Sequence, residues 1–232
     1  MILPNVRASF GEREVAFLLG ALGAADATGR DGVEERLEQG GIDALLDDPR
    51  TLNTVMSGGG VSPAPQGLVC YLLVRHALLE HGLAETTLAD YLAALMLAFA
   101  RLQGDEIEGG RYLVDAIAAL SRAGRDEQFL LQVRLGDLSL WMSGLFPDHL
   151  TARVHRRGAP GIDWYEQMGA TGYRLAASHR EAGSLGLDRL YADCADSFGT
   201  LRVALNRVAD RHLFPARAPG VDRLLRQVAD GL

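Results

Sequence analysis

The chain has 232 residues, 48% of them hydrophobic, and a formal net charge of −7. That length buries roughly 70% of the unfolded-state surface without a disulfide or metal staple, and the acidic balance lacks the footprint that nonspecific nucleic-acid binding requires. All 23 basic residues are arginine, so Schiff-base and pyridoxal-phosphate enzymes, and the lysine of a P-loop, are excluded.

In chain order, short helices are predicted at Glu12 to Leu22, Asp31 to Gln39 and Ile42 to Leu46. Another starts at Pro49, with Asp48 as its cap and Pro49 at the first helical position. Gly58-Gly59-Gly60, followed by Pro63 and Pro65, breaks the pattern and marks a boundary or hinge. No strand precedes it, so it reads as a loop and not as a phosphate cradle. Residues 1–61 are therefore expected as a smaller helical lead-in and 62–232 as the main bundle, or the two as one continuous domain.

From Pro65 onward the predicted helices lengthen. Gln66 to His81 stops at Gly82, a C-terminal glycine of the left-handed type. Thr87 with Asp90 three residues on forms a capping box for a helix to about Leu102. Arg111 to Ala123 stops at Gly124, and Asp126 to Leu145 ends before Pro147. Asp148 to Arg157, Ile162 to Ala182 and Val221 to Ala229 complete the set together with a long helix at 187–212.

In that long helix Leu187, Tyr191, Cys194, Phe198, Leu201, Leu205, Val208 and His212 recur at alternating steps of four and three. Such spacing keeps one stripe facing a partner, either as a central bundle helix or as a dimer seam. Asp188, Arg189, Asp193, Asp196, Arg202, Arg207 and Asp210 are expected on the solvated face. Strand-like alternation is missing throughout. The expected fold is thus all-α, an irregular multi-helix bundle with no significant sheet. The stripe and a mean hydropathy of +0.04 predict a homodimer.

Cys70 and Cys194 sit in apolar helical runs and read as free thiols in a reducing compartment. The segment Met1 to Ala16 has no apolar core of a signal peptide, and the longest apolar run, Leu92 to Ala100, is short of the roughly 20 residues that span a bilayer. A cytoplasmic protein with no membrane contact is expected.

Several ionisable residues interrupt apolar helices, and a buried charge must be paired or line a cavity. Arg75, His76 and Asp115 are read as members of a buried polar network. Arg134 and Asp137, three apart, pair on one helix face in this reading. Aromatic residues concentrate at Leu138 to Tyr173, where Gly169 and Gly172 imply either close helix packing or a ligand against bare backbone. A candidate pocket is therefore lined by Trp141, Tyr165, Tyr173 and His179, with Arg134 and Asp137 orienting a polar ligand.

Metal and nucleophile chemistry find no matching spacing. His76 and His81 are five apart instead of the four of a zinc-protease helix, and there is no Gly-x-Ser-x-Gly elbow. No metal, cofactor or catalytic residue is assigned. Arg153, His155, Arg156 and Arg157 form a basic knot before Gly158, read as cations at the negative end of a helix, with nucleic-acid contact as a third reading.

The run Leu135-Gly136-Asp137-Leu138-Ser139-Leu140-Trp141-Met142-Ser143-Gly144-Leu145-Phe146-Pro147-Asp148 precedes Arg156-Arg157-Gly158-Ala159-Pro160 and Tyr165-Glu166-Gln167-Met168-Gly169. Together these resemble segments of uncharacterised bacterial all-helical proteins, across about Pro65 to Phe214. The resemblance implies a helical fold and carries no activity. Two functional readings follow from the residues: a non-enzymatic interaction or regulatory module that self-associates, or a small-molecule binder or enzyme with a pocket between helices.

Overall fold

The computed structural model describes residues 1–25, 29–58, 63–100, 109–215 and 221–230. Among these, every regular element is helical. The all-α expectation holds, and the physical cause is the 3.6-residue apolar period in segment after segment. No helix among the described residues is long and apolar enough to cross a membrane.

The chain divides into two compact units, residues 2–97 and residues 98–232. In the first unit a 3-10 turn (Arg7–Ser9) precedes α1 (Glu12–Ala25), α2 (Gly29–Leu46), α3 (Pro49–Met56), α4 (Gln66–Glu80) and α5 (Thr86–Phe99), whose last turn crosses the division. The predicted 1–61 segment thus shares its unit with α4 and most of α5. Helix α1 packs on α2 and α3, and α3 packs on α4. Gly41, with φ of 66° inside α2, separates the two short helices predicted there, because only glycine adopts that conformation without strain. Asp48 caps α3 by accepting from the Arg50 amide, and Pro49 takes the first helical position, both as predicted.

Helix α5 departs from the capping-box expectation. Asp90 is buried and accepts the backbone N–H of Arg7 at 2.7 Å, so its carboxylate anchors the 3-10 turn. The predicted continuation to Leu102 lies outside the described residues, as do Gly59 and Gly60.

The second unit comprises α6 (Gly109–Leu120), α7 (Arg125–Leu145), α8 (Pro147–Arg157), α9 (Ile162–Ala177), α10 (Arg180–Leu185), α11 (Asp188–Asp196), α12 (Phe198–Val208), a π-helical turn (Ala209–Leu213) and α13 (Val221–Ala229). Helix α7 is central: α6, α9 and α12 all pack on it, and α11 packs on α9. Small residues make the close crossings. A Cβ on Gly136 would meet the Tyr173 ring at 2.5 Å, and one on Gly172 would meet the Gln132 carbonyl oxygen at 2.8 Å. A Cβ on Gly169 would meet the Phe198 ring at 2.3 Å. The helix-interior glycines are therefore compensated by close packing.

The predicted single helix at 187–212 is broken. Ser197, at φ −100° and ψ 10°, separates α11 from α12, and the π turn at Ala209–Leu213 follows α12. Leu187, Tyr191, Cys194, Phe198, Leu201, Leu205 and Val208 are all buried nonetheless. They pack within the same unit, against α7 and α9, so the stripe is a core seam and does not supply a dimer seam. The Ile162 to Ala182 prediction is likewise cut in two by His179, whose Nδ1 accepts from the Glu181 amide and caps α10.

Candidate functional site

The side chains expected to line one pocket are dispersed. Asp137 and Tyr173 do meet: the Tyr173 hydroxyl donates to Asp137 Oδ1 at 2.8 Å in the buried α7–α9 interface. Tyr173 then stacks on Tyr191 with centroids 6.0 Å apart, Tyr191 meets Phe129 edge-on at 6.1 Å, and Phe129 stacks on His179 at 5.5 Å. Those rings fill the interior and leave His179 at the far end of the row, acting as a helix cap. Trp141 belongs to a separate cluster, stacked on Phe99 at 4.9 Å and edge-on to Phe146 at 5.5 Å. Tyr165 is buried beside Trp164, 5.2 Å away.

Arg134 corrects the pocket reading. It is exposed, whereas Asp137 is buried, so Arg134 does not orient a ligand beside Asp137 in an interior cavity. The reason is angular: a three-residue step turns a helix by about 300°, enough here to put one side chain in solvent and the other against α9.

The predicted polar network is real for two of its three members. Arg75 is 4% exposed and binds Asp47 through two bonds of 2.7 Å, with a third of 2.7 Å to the Ala84 carbonyl. His76 donates from Nε2 to the Leu46 carbonyl at 3.0 Å, and burial pulls its pKa below the usual histidine range. Asp115, by contrast, is exposed on α6 and takes no part. These contacts tie α4 to Leu46, Asp47 and Ala84, which is a structural role.

Cys70 is held up at about 11 by burial and Cys194 well above its ordinary value for the same reason. Both are therefore poor nucleophiles at neutral pH. In the first unit a shallow groove of about 220 Å³ is lined by Leu22, Ala25, Arg50, Asn53 and Thr54. It is smaller than the roughly 300–1,000 Å³ of sites for drug-sized ligands.

A polar cluster that sequence reasoning missed lies under α13. Arg202, assigned in advance to a solvated face, is 9% exposed. Its Nε donates to Glu166 at 3.0 Å, its NH1 to Asn206 at 3.0 Å, and its NH1 and NH2 to the two Asp230 oxygens at 3.1 and 2.9 Å. Asn206, fully buried, is itself fixed by donating to the Ser143 and Gly144 carbonyls at 2.8 and 2.6 Å. Gly199 makes room for this group, since a Cβ there would meet Glu166 Oε1 at 2.8 Å.

Beside it Asp210 accepts from Arg223 Nε at 2.8 Å, from Gln227 at 2.9 Å and from Arg226 NH2 at 3.1 Å. Burial alone would raise the Asp210 carboxyl, but those donors together hold it below the usual carboxylate range. Asp148 on α8 accepts from Arg226 at 3.1 Å. The available signal was the spacing Arg223, Arg226, Asp230, one face of a short helix.

Helix α13 is consequently inverted. Arg223, Arg226 and Asp230 face the protein, whereas Leu224 and Val228 are 46% and 78% exposed. Leu213 and Phe214, which precede it in the chain, are also exposed. On α8, His155, Arg156 and Arg157 stand in solvent in the last turn, and Gly158 closes the helix at φ 57°. That placement fits the capping role of the basic knot. Comparison with family models, with curated proteins and with solved structures returned no match.

Proposed function

We propose that the protein is a non-enzymatic interaction module that self-associates through the outer face of α13. One observation carries the reading: Leu224 and Val228, at 46% and 78% exposure, are apolar positions on a helix whose polar side is spent inward. Leu224 and Val228 gain little from docking on their own chain, and this greasy side is left for another surface. A second copy is the partner we infer. A two-fold pairing sets the same apolar residues against each other and is the commonest mode of assembly.

Light scattering on the purified chain tests this. The expected mass at micromolar concentration is twice 25.0 kDa, falling to one chain in Leu224→Glu/Val228→Glu with helical circular dichroism retained. A mass of one chain for the unaltered protein sinks the proposal.

A further inference from the structure

We infer that His179 is a proton-operated cap on α10, the short helix that links α9 to α11. While its imidazole is neutral the first turn of α10 is held; once the ring takes up a proton that turn opens.

Helix α10 has six residues, fewer than two turns, so its cap is a large share of what holds it. At the corresponding position of α3 stands the Asp48 carboxylate, an oxygen acceptor. On α10 the acceptor is a nitrogen: the Glu181 amide donates to His179 Nδ1 at 3.3 Å. An imidazole nitrogen accepts only while it keeps its lone pair. Protonation turns Nδ1 into a second donor facing an amide N–H, and it sets a cation at the positive end of the helix. Both effects act against the same turn. Ala182, in that turn, is fully buried, and its carbonyl accepts from the Leu187 amide at 2.9 Å. The cap therefore reaches the entry of α11, which Leu187 opens.

The surroundings keep the ring in that conflict. It stacks on Phe129 of α7, with centroids 5.5 Å apart and planes 24° apart, a contact that a charged ring retains through cation–π attraction. The ring stays, and the amide loses its acceptor. His179 is half-buried, so solvent protons reach it. Charged neighbours on its own helix are Arg180 and Glu181. On α9, Arg174 turns to Asp196 at 3.9 Å; on α11, Asp188 is exposed and Arg189 pairs with Asp193 at 3.7 Å. On α7 the group against the ring is the uncharged Phe129, and Glu127 is exposed. Among the described residues no carboxylate pairs with the imidazole, so no counter-charge offsets the loss of the cap. The cap is complete above the ordinary histidine range and is lost as pH falls through it.

Nuclear magnetic resonance on the full chain, labelled with nitrogen-15, tests this between about pH 8 and about pH 5. At the upper end the His179 imidazole shows a bare Nδ1 and a proton on Nε2. As the ring titrates, the Glu181 amide resonance moves with the same midpoint. Amides of 181–185 then exchange about fivefold faster, the usual worth of a cap, after correction for the intrinsic pH dependence of exchange, while those of 165–175 hold. His179→Asn keeps an acceptor that does not titrate, so its protection is the same at both ends; His179→Ala exchanges fast at both. A proton on Nδ1 at the upper end, or pH-independent protection of 181–185 in the unaltered chain, overturns the proposal. So does a His179→Asn variant that loosens with acid as the unaltered chain does. The tautomer and the pH series are read on the unaltered chain, so they decide even where a variant does not fold, and neither requires self-association.

Discussion

Asp90 shows how one side chain serves packing against its own electrostatic preference. Burial pushes its carboxyl above the ordinary aspartate value, against the hydrogen bonds from the Val6 and Arg7 amides that pull it down. The folded chain therefore binds that proton more tightly than the unfolded chain does. Stability from this group is greatest below the unfolded value and declines as pH rises through the folded one. Asp90→Asn keeps an oxygen for the Arg7 amide and lacks the decline. Urea midpoints of the two proteins should be close near pH 3.5, roughly the unfolded aspartate range, and diverge in favour of the variant towards pH 7. A gain of the aspartate protein over the variant with rising pH would contradict this account. Arg75 illustrates the opposite case, a buried cation kept charged by Asp47, whose hydrogen bond raises its pKa against desolvation.

Among the helices, the crossing of α7 and α9 depends on absent side chains. Gly136→Ala drives a methyl into the Tyr173 ring, 2.5 Å from where the Cβ must sit, and displaces the hydroxyl that serves Asp137. Overpacking of this kind costs about 1–3 kcal/mol. Gly183→Ala in α10 meets nothing within 4 Å and relieves helix entropy, a gain of about 0.5–1 kcal/mol. Thermal or urea unfolding of both variants should move in opposite directions. A tolerated Gly136→Ala would mean that α9 is not seated as described.

Across the chain as a whole, the charge is negative, while three consecutive basic residues, His155, Arg156 and Arg157, are exposed at the end of α8. Three arginines and a histidine at a helix C-terminus offset the macrodipole, and a net charge of −7 repels polyanions at range. The protein should pass through heparin at low ionic strength. Retention released steeply by salt would instead favour a nucleic-acid surface on Arg153, Arg156 and Arg157.

Helix positions were readable from local pattern: Asp48 before Pro49, Gly82 after α4, Gly158 after α8 and the 221–229 segment all lie where their chemistry required. The candidate site was legible only in fragments, namely the Asp137–Tyr173 neighbourhood and the Arg75–His76 pair. Arg134, Asp115 and Arg202 were misplaced for a common reason. Periodicity says that a helix has two faces and names their residues, but a charge at the margin of a stripe turns either way. Local chemistry thus decided which segments coil and where they stop. Only packing in three dimensions decided the break at Ser197 and the inward charges of α13, because the surface awaiting that helix was already lined by Arg202, Asp210 and Asp148.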